Sequence, residues 1–315
     1  MAGHEAQPRA LHIPADDAVI VFRTQKSGVL GRLVRLGSVA DALIAPHALP
    51  DLASEALGQA LALVALFGSA LPGDGKVILQ TRTDGAVSLM VADFEASPAD
   101  GGGRLRGYAR FDAGALASLT EPGRRLDAGA VLGSGHLAIT IDQGLASDRY
   151  QGVVALEGVS LAGGAANYFE QREALPTFVR LAVARHYASG LSGAEPGWRW
   201  RAGGFMLQQV DKERDEDWSR VRLLASTLED HELLDPALTP ERLLLRLFHE
   251  EGVAVERVTP LADYCRCSRT RILDVLSSFG AKELSGMRDE AGAISVTCEF
   301  CTKTYAFELS EIGEP

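Results

Sequence analysis

No cysteine occurs in the first 264 residues of this 315-residue chain, so no disulfide, thiolate nucleophile or cysteine-held metal can lie there. A long uncharged apolar run is also missing. The most apolar window, Leu49 to Phe67, is broken by Asp51, Ser54, Glu55 and Gln59. Its unbroken part, Ala60 to Phe67, is far shorter than the ~20 residues a membrane-spanning helix needs, so no transmembrane segment and no membrane partner are expected. Excess positive charge is absent as well: 31 Lys and Arg against 42 Asp and Glu leave −11, which opposes binding to phosphate backbones and anionic surfaces. Met1 to Asp17 carries His4, Glu5, Arg9, Asp16 and Asp17 without the apolar core of a signal peptide, so a cytoplasmic, reducing setting is expected. Glycine (33) and proline (13) are near average usage and no repeat period emerges, which excludes collagen-like or low-complexity organisation.

What is present is a globular composition. With 46% apolar residues and a length that suggests about two domains, the chain can bury real cores. The pattern predicts an α+β fold. Strands are read at Ala18 to Phe22 and Arg32 to Arg35, followed by a helix over Leu49 to Phe67 that opens with Pro50 and Asp51 and stops at Gly68. Val77 to Thr83 and Ala86 to Phe94 flank Asp84-Gly85, the dipeptide a type I′ hairpin turn prefers. Further strands are expected at Leu105 to Phe111, His136 to Asp142, Tyr150 to Glu157, Phe178 to Val183 and Trp198 to Val210. Asn167 with Glu170 reads as a capping box opening a helix over Tyr168 to Ala174. Together these give an N-terminal mixed α/β sheet domain over residues 1–210.

After Val210 the composition changes. Asp211 to Glu256 holds 13 acidic and 6 basic residues, so this stretch carries −7 of the total charge and reads as a charged helical linker, 211–256. One helix presents Trp218, Val221, Leu224, Ala225 and Leu228 on a single face; another starts at Thr239-Pro240 and runs through Leu243 to Phe248. Short helices with one apolar stripe are marginal in water and persist mainly while docked.

The remaining segment, 257–315, carries every cysteine: Cys265-Arg-Cys267 and Cys298-Glu-Phe-Cys301. Four thiolates can close a tetrahedral shell around one Zn²⁺, leaving no open position for a substrate, which points to a structural rather than a catalytic ion and away from an enzyme. Ile294 to Val296 and Thr304 to Phe307 read as a hairpin presenting the second pair on a knuckle, and Ser268 caps a helix over Arg269 to Phe279. So small a module needs its metal, worth on the order of 10 kcal/mol for structural zinc, to stay folded. Residues two or three apart can also close local disulfides, and a C-x-C ring is small and therefore easily reduced. Spacing alone leaves open a permanent zinc clip, a redox switch, a zinc-ribbon nucleic-acid-binding or adaptor protein, an iron–sulfur site and unrelated thiols.

Other motifs carry no chemistry. Gly73-Asp-Gly-Lys76 lacks the glycine and the Ser or Thr of a phosphate loop, Gly133-Ser-Gly-His136 lacks the spacing of a nucleophile elbow, and His249-Glu250 is followed by Val253 where a zinc protease needs histidine. Trp198, Trp200 and Trp218, with Arg199 and Arg201, superficially suggest a stacking platform for single strands.

Around the cysteines, Cys265-Arg-Cys-Ser-Arg269, Arg271-Ile-Leu, Val296-Thr-Cys-Glu-Phe-Cys301 and Tyr305-Ala-Phe307 resemble the redox-regulated thirty-three-kilodalton heat-shock chaperonin family. The likeness extends upstream through Arg246-Leu-Phe-His-Glu-Glu251, Ala202-Gly-Gly-Phe-Met-Leu-Gln208, and Tyr168-Phe-Glu-Gln171 with Leu175-Pro-Thr177. Gln209-Val-Asp211 departs from it, the family often having a proline there. The resemblance implies an ATP-independent holdase, idle when reduced and zinc-bound. Oxidation to Cys265–Cys267 and Cys298–Cys301 disulfides, with zinc release, would activate it as a homodimer that binds unfolding client proteins. Melting of the linker would then expose apolar surface.

Overall fold

The computed structural model describes residues 13–97, 99, 101–119, 128–144, 149–189, 195–289 and 292–312; most of the segment read for a leader, residues 1–12, lies outside them. The chain runs β1 (Ala18–Thr24), β2 (Leu30–Leu36), α1 (Ser38–Ile44), α2 (Asp51–Gly68), β3 (Lys76–Thr83), β4 (Val87–Ser97), β5 (Gly102–Phe111), α3 (Ala113–Leu119), α4 (Ala128–Leu132), β6 (Ser134–Asp142) and β7 (Tyr150–Glu157). Then come α5 (Leu161–Glu173), β8 (Thr177–Ala188), β9 (Gly197–Gln208), α6 (Asp215–Ser226), α7 (Asp230–Leu234), α8 (Pro240–Phe248) and β10 (Val253–Asp263). The chain closes with α9 (Arg269–Leu276), α10 (Ala281–Gly286), β11 (Ile294–Thr297), β12 (Thr304–Phe307) and α11 (Leu309–Ile312).

Ten strands form one sheet in the order β7-β6-β3-β4-β5-β10-β1-β2-β9-β8. All pairings within it are antiparallel except that of β10 with β5, which is parallel and joins Leu261, Ala262 and Asp263 to Gly103, Arg104 and Leu105. The acidic stretch therefore ends inside the sheet: Val253 to Glu256 open β10, whose run from Val253 to Pro260 pairs with β1.

α2 lies across one face of this sheet. Its alanine- and leucine-rich sequence has strong helix propensity and is apolar nearly all round, as suits a helix buried in a core. By length and composition it could cross a membrane, yet 78% of that window is buried inside the protein. Leu57, Leu61 and Val64 join Val34, Leu79, Phe94, Leu105 and Met206 in the larger core.

The opposite face packs under the acidic segment. Alternation along β1, β2 and β9 turns Ile20, Phe22, Leu33, Phe205 and Leu207 away from α2, where Trp218, Val221 and Ala225 of α6, Leu228, Leu233 of α7, and Leu243, Leu247 and Phe248 of α8 cover them. The stripe expected of the linker is thus docked, with Leu224 half-buried at its margin.

Two local expectations fail for identifiable reasons. Neither Asp84 nor Gly85 adopts positive φ, so the β3–β4 connection is not a type I′ turn. Instead the Gly85 N–H donates to Leu132 O (3.0 Å) and the Ser134 N–H to Asp84 Oδ1 (2.7 Å), and a Cβ at Gly85 would lie 2.3 Å from the Leu132 carbonyl. The glycine is there for close backbone approach. Nor does Asn167 open a helix: α5 starts seven residues' length earlier, where Ser160 Oγ accepts from the Gly163 N–H (3.2 Å), and Gly164 lets it sit against Leu156. It ends at Ala174, which takes a left-handed φ of 48°.

Candidate metal centre and the surface it docks on

β11 and β12 pair antiparallel from Ile294↔Phe307 to Thr297↔Thr304, and the turn between them carries Cys298 and Cys301. The Cys298 N–H donates to Lys303 O and the Thr302 N–H to Cys298 O, which closes the knuckle; Thr302 takes a left-handed φ of 58°. Cys265 and Cys267 arrive from the other side, directly after β10. Ser268 then caps α9, its Oγ accepting from the Arg271 N–H (3.2 Å).

All four sulfurs lie within 4.8 Å of one another, so the four cysteines named from the sequence come together and are able to hold a metal ion. The shortest approaches cross between the two motifs, Cys265 to Cys298 at 3.6 Å and Cys267 to Cys301 at 3.3 Å. Zinc–sulfur bonds of about 2.3 Å in a tetrahedron require sulfur separations of about 3.8 Å, a scale these distances match.

Burial pushes the Cys265 and Cys301 thiols above their ordinary range. Burial pushes Cys267 the same way, but hydrogen bonds from the Tyr305 hydroxyl (3.3 Å) and the neighbouring thiols outweigh it and hold that group at about 7. Gathering four negative sulfurs in so small a space requires compensating positive charge.

The module around the sulfurs has a core of Leu276, Leu284, Ile294, Phe307 and Ile312. Arg269 ties it together, donating to Ala306 O and to both Glu311 oxygens while its guanidinium stacks over Phe307.

The knuckle does not stand free of the sheet. Arg110 of β5 donates to Glu299 (2.6 and 3.0 Å), the Phe300 ring meets the Tyr108 ring edge-on with centroids 4.8 Å apart, and Arg106 stacks over Phe300 at 3.9 Å. His47 Nε2 donates to Phe300 O (3.2 Å), and burial keeps that imidazole below the usual histidine range. Arg266, between the first two cysteines, pairs with Glu95 of β4.

A second anchor escaped the sequence reading. Arg35, fully buried on β2, donates to the carbonyls of Glu232 (3.1 Å), Leu233 (2.9 Å), Asp235 and Leu238, gathering the end of α7 onto the sheet. Arg201 on neighbouring β9 donates to Leu234 O (2.7 Å). The signal was an arginine on the same side as Leu33 in an apolar strand, because a buried charge on a strand face demands partners from another element. The tryptophans, by contrast, form no platform: Trp200 and Trp218 are buried in separate cores and Trp198 is exposed beside Tyr187.

A large mixed sheet bearing a compact four-thiol module able to bind metal defines the structural class, and the comparisons with known proteins specify it. A family model described as Hsp33 protein matches residues 17–308. The 33 kDa chaperonin of Caulobacter vibrioides is 41% identical over 298 residues, covering 93% of this chain and 95% of that one. That of Pseudomonas aeruginosa is 34% identical over 304 residues, covering 93% and 92%. The crystal structure of a 33 kDa chaperonin (heat shock protein 33 homolog) from Thermotoga maritima shares the fold, with a TM-score of 0.72 at 23% identity over 94% of this chain and 96% of that one. The chain belongs to the Hsp33 family of chaperones.

Proposed function

We propose that this protein is a redox-regulated, ATP-independent holdase of the cytoplasm, without enzymatic activity, whose partners are unfolding client proteins rather than nucleic acid or membrane. Three segments divide the work: a client-binding domain (1–210), a charged linker (211–256) and a thiol module (257–315), with β10 shared between sheet and module.

The observation that carries the reading is the dual docking. The linker helices cover an apolar sheet face, and the knuckle that follows them in sequence is clasped to β5 through the residues between its cysteines. In the reduced state Cys265, Cys267, Cys298 and Cys301 would hold one zinc ion, whose positive charge would keep them as thiolates and tie the two cysteine pairs together. Two equivalents of a peroxide take up four electrons from the four sulfurs. Each O–O bond breaks as one S–S bond forms, and no thiolate remains to retain the ion.

The Cys265–Cys267 and Cys298–Cys301 pairing follows the family resemblance, since the resting sulfurs approach most closely across the motifs. Loss of the module's cross-link then removes support from helices that are marginal alone, the covered face opens, and the oxidised protein acts as a homodimer.

One titration tests this. Zinc release, free-thiol count and suppression of aggregation are measured together against added peroxide at mild heat. All three should change over the same range; zinc loss without gain of holding activity would overturn the reading and return attention to a zinc-ribbon adaptor.

A further inference from the structure

Glu299 and Phe300 bind no metal, yet they make the most specific contacts between the knuckle and the sheet. By strand alternation Arg106, Tyr108 and Arg110 share one side of β5, while Gly107 faces Leu57 and Leu61 of α2. The resulting strip reads cation, aromatic, cation. Its first cation is fixed independently of what it stacks on: Arg106 is paired with buried Asp93 at 2.6 Å. Beyond Leu105 the β10 side of β5 has no paired strand among the described residues, so the strip borders an open edge along which extended chain can lie.

We propose that Arg106, Tyr108, Arg110 and His47 form a receptor for an aromatic side chain preceded by an acidic residue in an unfolded polypeptide, and that Glu299-Phe300 fill it in cis while the thiol module is folded. The knuckle acts as a tethered mimic of the client: its carboxylate takes Arg110, its ring takes Arg106 and Tyr108, and its carbonyl takes His47. Tethering gives it an effective concentration on the order of millimolar, so free segments compete only after the module lets go. The proposal rests on the chaperone reading and adds to it a sequence preference among clients.

The test uses the full chain, reduced and zinc-loaded, carrying Glu299→Ala with Phe300→Ala; zinc content and thermal unfolding establish that its module is intact. Fluorescence anisotropy follows a labelled ten-residue Gly/Ser peptide containing Glu-Phe, with Glu-Ala and Lys-Phe versions for comparison. The variant should bind Glu-Phe about fivefold more tightly than either, from one cation–π contact and one ion pair, whereas the reduced parent should bind none of them measurably. Adding Arg110→Glu, an exposed substitution, should shift the preference to Lys-Phe. If the double variant loses zinc, the same preference and the same reversal are read in the oxidised, zinc-free chain with and without Arg110→Glu. Equal binding of the three peptides, an unchanged preference after Arg110→Glu, or equal binding by the reduced parent would overturn the proposal. Failure of the chaperone reading would show separately, as oxidised protein that does not suppress aggregation of a heat-unfolding client.

Discussion

The linker and the thiol module both lie against the sheet, but they are held by different physics. Under α6, α7 and α8 the contact is broad and apolar, with Phe22, Phe205 and Phe248 mutually packed at centroid distances of 5.9 to 6.2 Å and Arg35 pinning the end of α7 from below. The module has a much smaller apolar core, built on Leu276, Leu284, Ile294, Phe307 and Ile312, and on the proposed function its sulfurs supply the rest. An extended hydrophobic contact weakens gradually as conditions change, whereas a site that depends on four ligands fails when its ligands change chemistry. On the proposed function, the difference teaches where a chemical signal would enter: in the region with little apolar reserve, with its effect read out in the region with more.

The comparison breaks most sharply at the sulfurs. Cys298→Ser should remove a stabilisation on the order of 10 kcal/mol from the module, seen as lost zinc and rapid proteolysis after residue 263, and should leave the protein partly active without oxidant. Tight zinc retention by that variant would contradict it. Phe248→Ala attacks the other side: truncating a buried ring should cost about 3–5 kcal/mol in denaturant unfolding while zinc content stays unchanged. Arg35→Met strips the carbonyls of α7 and the turn after it of their donor, which should cost about 2–4 kcal/mol and show as faster amide exchange in α7 than in α2.

The smallest effect is a pH dependence. Burial raises the Glu251 carboxyl, but hydrogen bonds from Arg220 (2.9 Å) and Ser27 outweigh it and leave the group below its ordinary 4.5. A depressed folded-state value means its contribution is present above about 4.5 and fades as pH falls through the lower value. Glu251→Gln should therefore flatten the acid limb of linker docking, measured by Trp218 fluorescence, by weakening docking at neutral pH while leaving it nearly unchanged in acid.

Much of this organisation was legible in the sequence. The alternation of β1 to β9, the apolar stretch of α2, the stripes of α6 and α8 and the spacing of the cysteines are local signals, and local signals survive into the fold. β10 was not legible. Val253–Asp263 mixes Glu256, Arg257 and Pro260 into a run whose burial does not alternate cleanly, and it becomes a strand because β1 and β5 both present unpaired edges that it satisfies. The start of α5 was hidden because Gly163 and Gly164 read as breakers, although packing against β7 requires one of them. The candidate metal site was half legible: the four cysteines that cluster could be named, but the grip of Arg106, Tyr108, Arg110 and His47 on the knuckle joins residues about 190 to 250 positions apart, a relation no local pattern encodes.

β10 also sets how the molecule would come apart under load. Only Tyr264 separates its last residue from Cys265, so a tug on the thiol module reaches Asp263 first and peels the strand from its end, one residue at a time. Three parallel partners on β5 yield first, while the antiparallel run against β1 still holds. The sheet thus has a tear line between β5 and β10, along which its halves can part without breaking a single antiparallel pair, and α2, seated across both, serves as the hinge plate that keeps them one body.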